Sequence, residues 1–278
     1  MILREKNTTI ILTIFFLGIF FRLYNLNFED LWHDEILSFW IADPSISFRE
    51  TLNRHNELEQ VPILFNLILK YFYKTFGYNV YLGRYLSCFF GIISMIFCYL
   101  LYLQSKNNNG SIFFITLIAF NIFLIKYSQE LRVYSLMTLL IILSLYFLFK
   151  IFNKKQDKLN YYLFILFLLL AILSHPFSII ILISTICLSL IRIIFFKENL
   201  IKLNISLFLI LALSVIYYVT YFFNLNELTP WIAQVDIKFF TNFFFSKFFG
   251  SRILGLLHLI ILIFFILRFK KSFIASDK

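Results

Sequence analysis

The sequence predicts an all-α polytopic membrane protein, with about eight spanning helices and further surface or re-entrant helices in its first outer loop. Of its 278 residues, 61% are hydrophobic and 14% are charged, and the mean hydropathy is +0.85. An average soluble domain is roughly 45–50% apolar and about 25% charged. A soluble protein of this size could not shield so many apolar side chains, 39 phenylalanines among them, from water. A soluble enzyme, a disordered chain, a coiled coil and a disulfide-rich secreted domain are therefore excluded.

The apolar residues fall into nine segments. The first, residues 10–21, follows a basic N-terminus and lacks the small-residue cleavage site of a signal peptide, so we expect it to remain as a span. The other segments cover 61–76, 81–103, 111–127, 133–152, 160–174, 176–196, 203–223 and 253–269. Segment 61–76 is short and contains Lys70 and Lys74, and charges inside a span are costly. We expect it to lie along the surface or to re-enter, which leaves eight crossings.

The distribution of charge predicts the orientation of the chain. The net charge is +10, and Lys and Arg collect in cytoplasmic loops. With the N-terminus inside, the cytoplasmic segments contain Arg4, Lys6, Lys106, Lys150, Lys154, Lys155, Lys158, Lys197, Lys202, Lys270 and Lys271. The acidic stretch of residues 25–60 then forms the first outer loop. We expect a multi-pass protein of the cell membrane with its site on the non-cytoplasmic side.

The first outer loop has structure of its own. Ser47 and Glu50 have the spacing of a capping box at the start of a helix. Ile36, Phe39 and Trp40 share one helical face. Two short helices lying on the membrane surface fit this pattern.

Polar residues concentrate on this outer side. They are Arg22, Asp34, Glu35, His55, Glu59, Arg84, Lys126, Glu130, Arg132, Tyr134 and His175. Ionisable groups near a membrane are costly and usually face a cavity or a partner, so their convergence indicates a site. The alternative is that these residues form no site and belong to a solvated loop and to anchoring positions at the helix ends.

Each chemical role has an ordinary alternative. Asp34, ionised near a helix N-terminus, can accept the proton of an attacking hydroxyl, or it can simply cap the helix. Arg84 and Arg132 can fork onto a phosphate or anchor the interface, and Arg132 can instead pair with Glu130. His175, next to a proline, fits a structural turn better than a proton shuttle.

Motifs for a cofactor are missing from the sequence. It contains no GxGxxG, Walker A, HExxH or CxxC pattern, so neither a nucleotide cofactor nor a metal is expected. Cys88, Cys98 and Cys187 lie in apolar stretches and predict no disulfide. The positive charge is explained by topology, so no nucleic-acid partner is expected.

Several short motifs resemble one family. Arg22–Tyr24 at the end of the first span, followed by Leu31–Glu35, looks like the opening of the GT-C membrane glycosyltransferases. The closest resemblance is to the protein O-mannosyltransferase and aminoarabinose-transferase-like group. The further matching stretches are Pro62–Phe65, Gly83–Ser87, Tyr127–Tyr134 and Ser174–Pro176. Together they cover about residues 15–180.

The resemblance implies transfer of a sugar from a polyprenyl-phosphate donor to a lipid, glycan or protein acceptor at the outer face, without a cofactor. Asp34 matches the catalytic acid that deprotonates the acceptor hydroxyl, and attack with inversion is expected. Glu35 is expected to help hold donor or acceptor, and Arg84 and Arg132 to meet the donor phosphate. The other candidate substrate-binding residues are His55, Glu59, Glu130, Tyr134 and His175.

The chain also departs from the family pattern. Val61-Pro62 stands where the family often has two prolines, and the histidine common before them is missing. We treat residues 1–278 as a single GT-C-like domain, shorter at its C-terminus than many members. Two alternatives therefore stay open: a transporter or flippase for a lipid-linked or small solute, and a catalytically inactive partial module.

Overall fold

The computed structural model describes residues 2–59, 61–104, 111–153, 158–223, 251–253, 255–261 and 263–264. Within these ranges every regular element is a helix, which confirms the predicted all-α class. The chain divides into two compact units, Met1–Leu228 and Thr229–Lys278. The helices of the first unit are α1 (Ile2–Leu23), α2 (His33–Ile41), α3 (Phe48–Leu58), α4 (Leu64–Phe76), α5 (Val80–Tyr102), α6 (Ser111–Ala119), α7 (Ile122–Gln129), α8 (Tyr134–Asn153), α9 (Lys158–Ile172), α10 (Ser178–Phe196) and α11 (Ile201–Phe223).

Four of the described helices are long and apolar enough to cross a membrane: α5, α8, α10 and α11. The pair α6 and α7 adds a fifth candidate, bent by 44° at a short break. The apolar part of α1 and helix α9 are shorter, at 10–17 residues. The multi-pass class is thus confirmed, whereas the predicted number of eight spans is not. Residues 254, 262 and 265–269 of segment 253–269 and the lysines at 106, 154, 155, 270 and 271 lie outside the described residues.

Helix α4 does not have the dimensions of a span. Its 13 residues extend about 20 Å at 1.5 Å per residue, less than the hydrocarbon thickness of roughly 30 Å. The Lys70 ammonium donates hydrogen bonds to the carbonyls of Asp43 and Ile46, both at 2.7 Å, and to the Thr51 hydroxyl at 2.9 Å. These bonds tie α4 to the first loop, as expected for a segment that carries two lysines.

The two predicted loop helices are present as α2 and α3. The Glu50 N–H donates to the Ser47 hydroxyl at 3.2 Å, which confirms the helix start at this cap. On α2, Ile36 and Trp40 are exposed, whereas Glu35 and Ser38 are buried. Ile36 and Trp40 therefore face outward, whereas Glu35, Ser38 and Ile41 face the protein.

Helices α6 and α7 bring the chain back to the first loop. The Arg22 guanidinium donates to the carbonyls of Ile118 and Ala119, which end α6. Asn121 caps α7 through a 2.9 Å bond from the Leu124 N–H. The Gln129 amide in turn donates to three carbonyls at the end of α1. These bonds satisfy backbone N–H and C=O groups that have no partner within their own helix at the helix ends.

A buried cluster underlies this end of the molecule. It joins α4, α5, α8 and α9 through residues that include Leu69, Leu86, Leu131, Leu136 and Ala171. An added Cβ at Gly83 would collide with the side chains of Tyr73 and Leu131. Glycine thus allows α4 and the segment after α7 to approach α5 closely, which holds the loop helices against the bundle.

Candidate functional site

An ion pair between Glu35 and Arg84 joins the first loop to α5. The Arg84 Nε and a terminal nitrogen donate to the two Glu35 carboxylate oxygens at 2.9 and 2.7 Å. The same carboxylate accepts the Leu131 N–H at 2.7 Å and the Trp32 N–H at 3.4 Å. Glu35 is 1% exposed, so its charge is fully compensated inside the protein.

Arg84 uses its whole guanidinium on the protein. Besides Glu35, its terminal nitrogens donate to the carbonyls of Leu26 at 3.1 Å, Glu29 at 2.8 Å and Asp30 at 3.3 Å. A guanidinium has five N–H donors, and all five are engaged in these bonds. Arg84 therefore fixes the chain between α1 and α2 in place.

Arg132 holds a second pair of carboxylates. It forks onto both Glu59 oxygens, one contact being very short and the other 3.2 Å. It also donates to the Asp34 carbonyl at 3.1 Å and the Ser38 hydroxyl at 3.0 Å, and it lies 3.6 Å from Asp34 Oδ2. Although burial lowers it, the Glu59 carboxylate leaves the pKa of Arg132 above its usual value. The guanidinium is thus a permanent cation beside Asp34.

Asp34 differs from the other two carboxylates in its exposure. Its side chain is 37% exposed, whereas those of Glu35 and Glu59 are 1% and 6% exposed. It lies in the first turn of α2, where the helix dipole favours the ionised form. The arrangement places one accessible carboxylate beside a buried arginine that is itself paired with Glu59.

His175 and Tyr134 complete this side of the site. Their rings lie 5.9 Å apart, at the α9–α10 turn and the start of α8, respectively. Burial, followed by the nearby Arg132 charge, lowers the pKa of His175 to about 4. Its Nδ1 accepts the Phe177 N–H at 3.2 Å, so the neutral ring carries its proton on Nε2. His175 is therefore a neutral hydrogen-bond donor near Arg132.

His55 lies deeper, on α3. It is 1% exposed, and its Nδ1 is 3.0 Å from the Asn66 amide nitrogen. Burial lowers the pKa of His55 to about 4, against an opposing backbone hydrogen bond with Val61. The ring is neutral, and it joins α3 to α4.

Glu130 ends α7 with its carboxylate half inside the protein. One oxygen is 3.8 Å from the Lys126 ammonium, which is 68% exposed. The other oxygen is buried without a hydrogen-bond partner among the described residues. Burial raises the pKa of Glu130, against the opposing charge of Lys126. Glu130 is thus a mostly buried carboxylate, 14% exposed, at the edge of the cluster.

A small cleft lies behind Arg132. Its volume is about 10 Å³, close to the room that one water needs. The lining residues are Ser38, Glu59, Val61, Pro62, Phe65, Asn66, Arg132 and Val133. Half of this lining is polar, which is unusual for a cavity among apolar helices.

The structure assembles the predicted residues in two adjoining groups. The first group lies around the exposed carboxylate of Asp34 and consists of Glu59, Arg132, Tyr134 and His175. Glu35 and Arg84 form the brace beside it, Glu130 lies at its edge, and His55 lies behind it. The expected pair of Arg132 with Glu130 is replaced by the fork onto Glu59.

Two contributing residues escaped the sequence reasoning, Ser38 and Asn66. Ser38 follows Asp34 by one helical turn, so it shares the buried face of α2. Asn66 is a polar side chain within an otherwise apolar stretch of α4 and is 3% exposed. A polar side chain at such a position is costly to bury, and this is the signal that could have identified Asn66.

Metal binding has no support in this part of the chain. Across the described residues, no group of three or more His, Cys, Asp or Glu side chains is arranged to hold a metal ion.

Comparison with known proteins gives the family. Residues 60–218, more than half of the chain, match the family described as dolichyl-phosphate-mannose-protein mannosyltransferase. The chain belongs to this family. Neither the curated proteins nor the solved structures yield a significant match.

Membership makes this protein a membrane glycosyltransferase of the mannosyltransferase-like group. The matched range begins after Asp34, Glu35, His55 and Glu59, and it contains Arg84, Glu130, Arg132, Tyr134 and His175. The contacts of Asp34 and Glu59 with Arg132, and of Glu35 with Arg84, therefore link the first loop to the matched region.

Proposed function

We propose that this mannosyltransferase-family protein moves a sugar from a polyprenyl-phosphate donor to an acceptor hydroxyl, with Asp34 as the catalytic base. The observation that carries the proposal is the accessible Asp34 carboxylate, held against Arg132 while its neighbouring carboxylates are buried. A general base must be reachable by the proton that it takes, and the Asp34 side chain is 37% exposed.

Arg132 and Glu59 orient this base. The fork onto Glu59 fixes the guanidinium plane, and the guanidinium then fixes Asp34 through its carbonyl and its carboxylate. Asp34 takes the proton of the acceptor hydroxyl as the oxygen attacks the anomeric carbon. The bond from that carbon to the phosphate oxygen breaks, and the polyprenyl phosphate leaves. Attack from the side opposite the phosphate inverts the configuration.

Glu35 and Arg84 act in this proposal as positioning residues. Each is already saturated by partners within the protein, so neither has a donor or acceptor left for the substrate. Their pair sets the start of α2 and thereby the place of Asp34.

A donor phosphate needs an accessible cation. We assign that contact to Lys126, whose side chain is 68% exposed at the edge of the cluster. The Nε2–H of His175 and the neighbouring Tyr134 ring, 5.9 Å apart between ring centroids, are assigned to the sugar. A sugar is recognised by such a mixture of hydrogen-bonding groups and an aromatic face.

The site is proposed to face the non-cytoplasmic side. The lipid tail of the donor stays in the bilayer while its sugar enters a polar cavity. The exposed Ile36 and Trp40 of α2 suit a helix at the interface beside that entrance.

The test replaces Asp34 by Asn in cells that carry the chain. We expect the transfer product, identified by mass spectrometry of surface glycans and glycolipids, to fall by about 100-fold or more, since a general base contributes on the order of 10²–10⁴. The matched control is Asp30→Asn, the same change four residues earlier on an exposed side chain, which leaves the product unchanged.

Three results separate the proposal from its alternatives. Full product from a normally inserted Asp34→Asn protein removes Asp34 from the catalytic role. Release of sugar across reconstituted vesicles without a covalent product indicates transport. Binding of polyprenyl-phosphate mannose by the wild-type chain in nanodiscs, with no polyprenyl phosphate released, indicates an inactive module.

A further inference from the structure

The cleft behind Arg132 contains an unusual pair of buried polar atoms. The Arg132 Nε–H has no hydrogen-bond partner among the described residues, and neither has the Asn66 side-chain oxygen. Arg132 is 7% exposed and Asn66 is 3% exposed. A buried polar atom left without a partner costs free energy, so each of them calls for one.

The two atoms are complementary in character. The Arg132 Nε is a donor, and the Asn66 oxygen is an acceptor. Both residues line the same cleft, which has the volume of about one water molecule. A water can accept from the first atom and donate to the second at once.

The orientation of the Asn66 amide supports this assignment. Its nitrogen is 3.0 Å from His55 Nδ1. The neutral ring also makes a hydrogen bond with the Val61 backbone, which favours the tautomer with the proton on Nε2 and leaves Nδ1 as the acceptor. The amide nitrogen is therefore committed to His55, and its oxygen is the atom left over. With the amide reversed, two acceptors would face each other.

We propose that a resident water molecule bridges the Arg132 Nε–H to the Asn66 side-chain oxygen, which makes Asn66 and His55 positioning residues for the guanidinium that supports Asp34. The hydrogen-bonded chain then runs from His55 through Asn66 and the water to Arg132. The positioning role depends on the proposed function of Asp34, whereas the water site does not.

The water site is tested by structure determination. The full chain in nanodiscs is solved at a resolution that shows buried water elsewhere in the protein. A peak about 3 Å from both the Arg132 Nε and the Asn66 oxygen supports the proposal. An empty cleft, or a peak that contacts one of the two atoms only, overturns it whether or not the enzyme is active.

The positioning role is tested with Asn66→Leu, which keeps the side-chain size and removes both hydrogen-bonding atoms. Release of polyprenyl phosphate from polyprenyl-phosphate mannose is measured in nanodiscs. We expect kcat to fall about tenfold while KM for the donor stays within about twofold, because Arg132 is misplaced and the donor contacts are kept.

The matched control is Phe65→Leu, a buried apolar neighbour in the lining of the same cleft. It disturbs the packing but leaves the bridge, so kcat is retained. Equal losses in both variants, or a change confined to KM, contradict the positioning role. If Asn66→Leu does not fold, the wild-type structure still decides the water site.

Discussion

Two arginines of similar appearance in the sequence have different roles in the structure. Arg84 donates all five of its N–H groups to the protein, and its acidic partner Glu35 is buried. Arg132 bridges a buried carboxylate, Glu59, and an accessible one, Asp34. The distinction between a brace and a catalytic support thus depends on what surrounds each charge.

This distinction predicts that two similar substitutions differ in their effect on the free energy of unfolding. Glu35→Gln removes one partner of a buried pair and leaves the Arg84 charge uncompensated, which costs about 3–5 kcal/mol of unfolding free energy. Asp34→Asn leaves Arg132 paired with Glu59, so it changes the stability little. Denaturant unfolding of both purified variants in one detergent measures the difference. Equal stability of the two variants would mean that the Glu35 pair is not the brace described above.

At the scale of elements, the bend between α6 and α7 places the site. A straight helix would carry residues 130–134 away from the first loop, whereas the break at residues 120–121 turns the chain towards α1. Arg22 closes the end of α6, Asn121 starts α7, and Gln129 closes the end of α1. The bend is thus part of the fold, and each of its ends has a hydrogen-bonding partner.

Removal of Arg22 tests this account of the bend. Arg22→Met keeps most of the apolar stem but leaves the Ile118 and Ala119 carbonyls without their donor. We expect a loss of roughly 2–4 kcal/mol in unfolding free energy, about 1–3 for each unsatisfied buried group less relaxation. The control Asn121→Ala, which removes an N-cap, costs only about 1 kcal/mol. Hydrogen exchange should become faster at residues 118–125, and unchanged exchange there would contradict the role of Arg22.

For the whole molecule, the sequence predicted the fold class and the residues that gather at the site. It did not predict which of those residues pair with one another. Hydropathy indicated the membrane helices, and the Ser47 and Glu50 spacing located α3. The bonds that decide the roles join residues far apart in the chain, such as Glu35 with Arg84 and Glu59 with Arg132. No local spacing encodes such pairs, because they depend on how the helices pack. The bend at residues 120–121 was missed for a similar reason, since its apolar run continues without a proline or glycine.

The same contacts constrain the path of the chain through the membrane. Glu35 meets Arg84, so the chain returns to one side between α2 and α5, as a non-crossing α4 requires. Arg132 meets Asp34, as the predicted topology requires if α5 and the bent pair α6–α7 each cross once, in opposite directions. His175 lies near Arg132, as the predicted topology requires if α8 and α9 each cross once. The site residues thus share one side under the alternation that the loop charges predict.

This alternation predicts which side of the membrane each loop faces. In a chain with Cys88, Cys98 and Cys187 replaced by Ala, Ser45→Cys places a thiol on the exposed turn before α3, and Lys158→Cys places one at the start of α9. We expect a membrane-impermeant maleimide added to intact cells to label position 45 and to label position 158 only after permeabilisation, because the predicted topology places four crossings, α1, α5, α6–α7 and α8, before α9. Mass shift on a gel reads the result. Labelling of position 158 in intact cells, with position 45 protected, would place Asp34 in the cytosol, where a donor with its sugar outside the cell could not reach it.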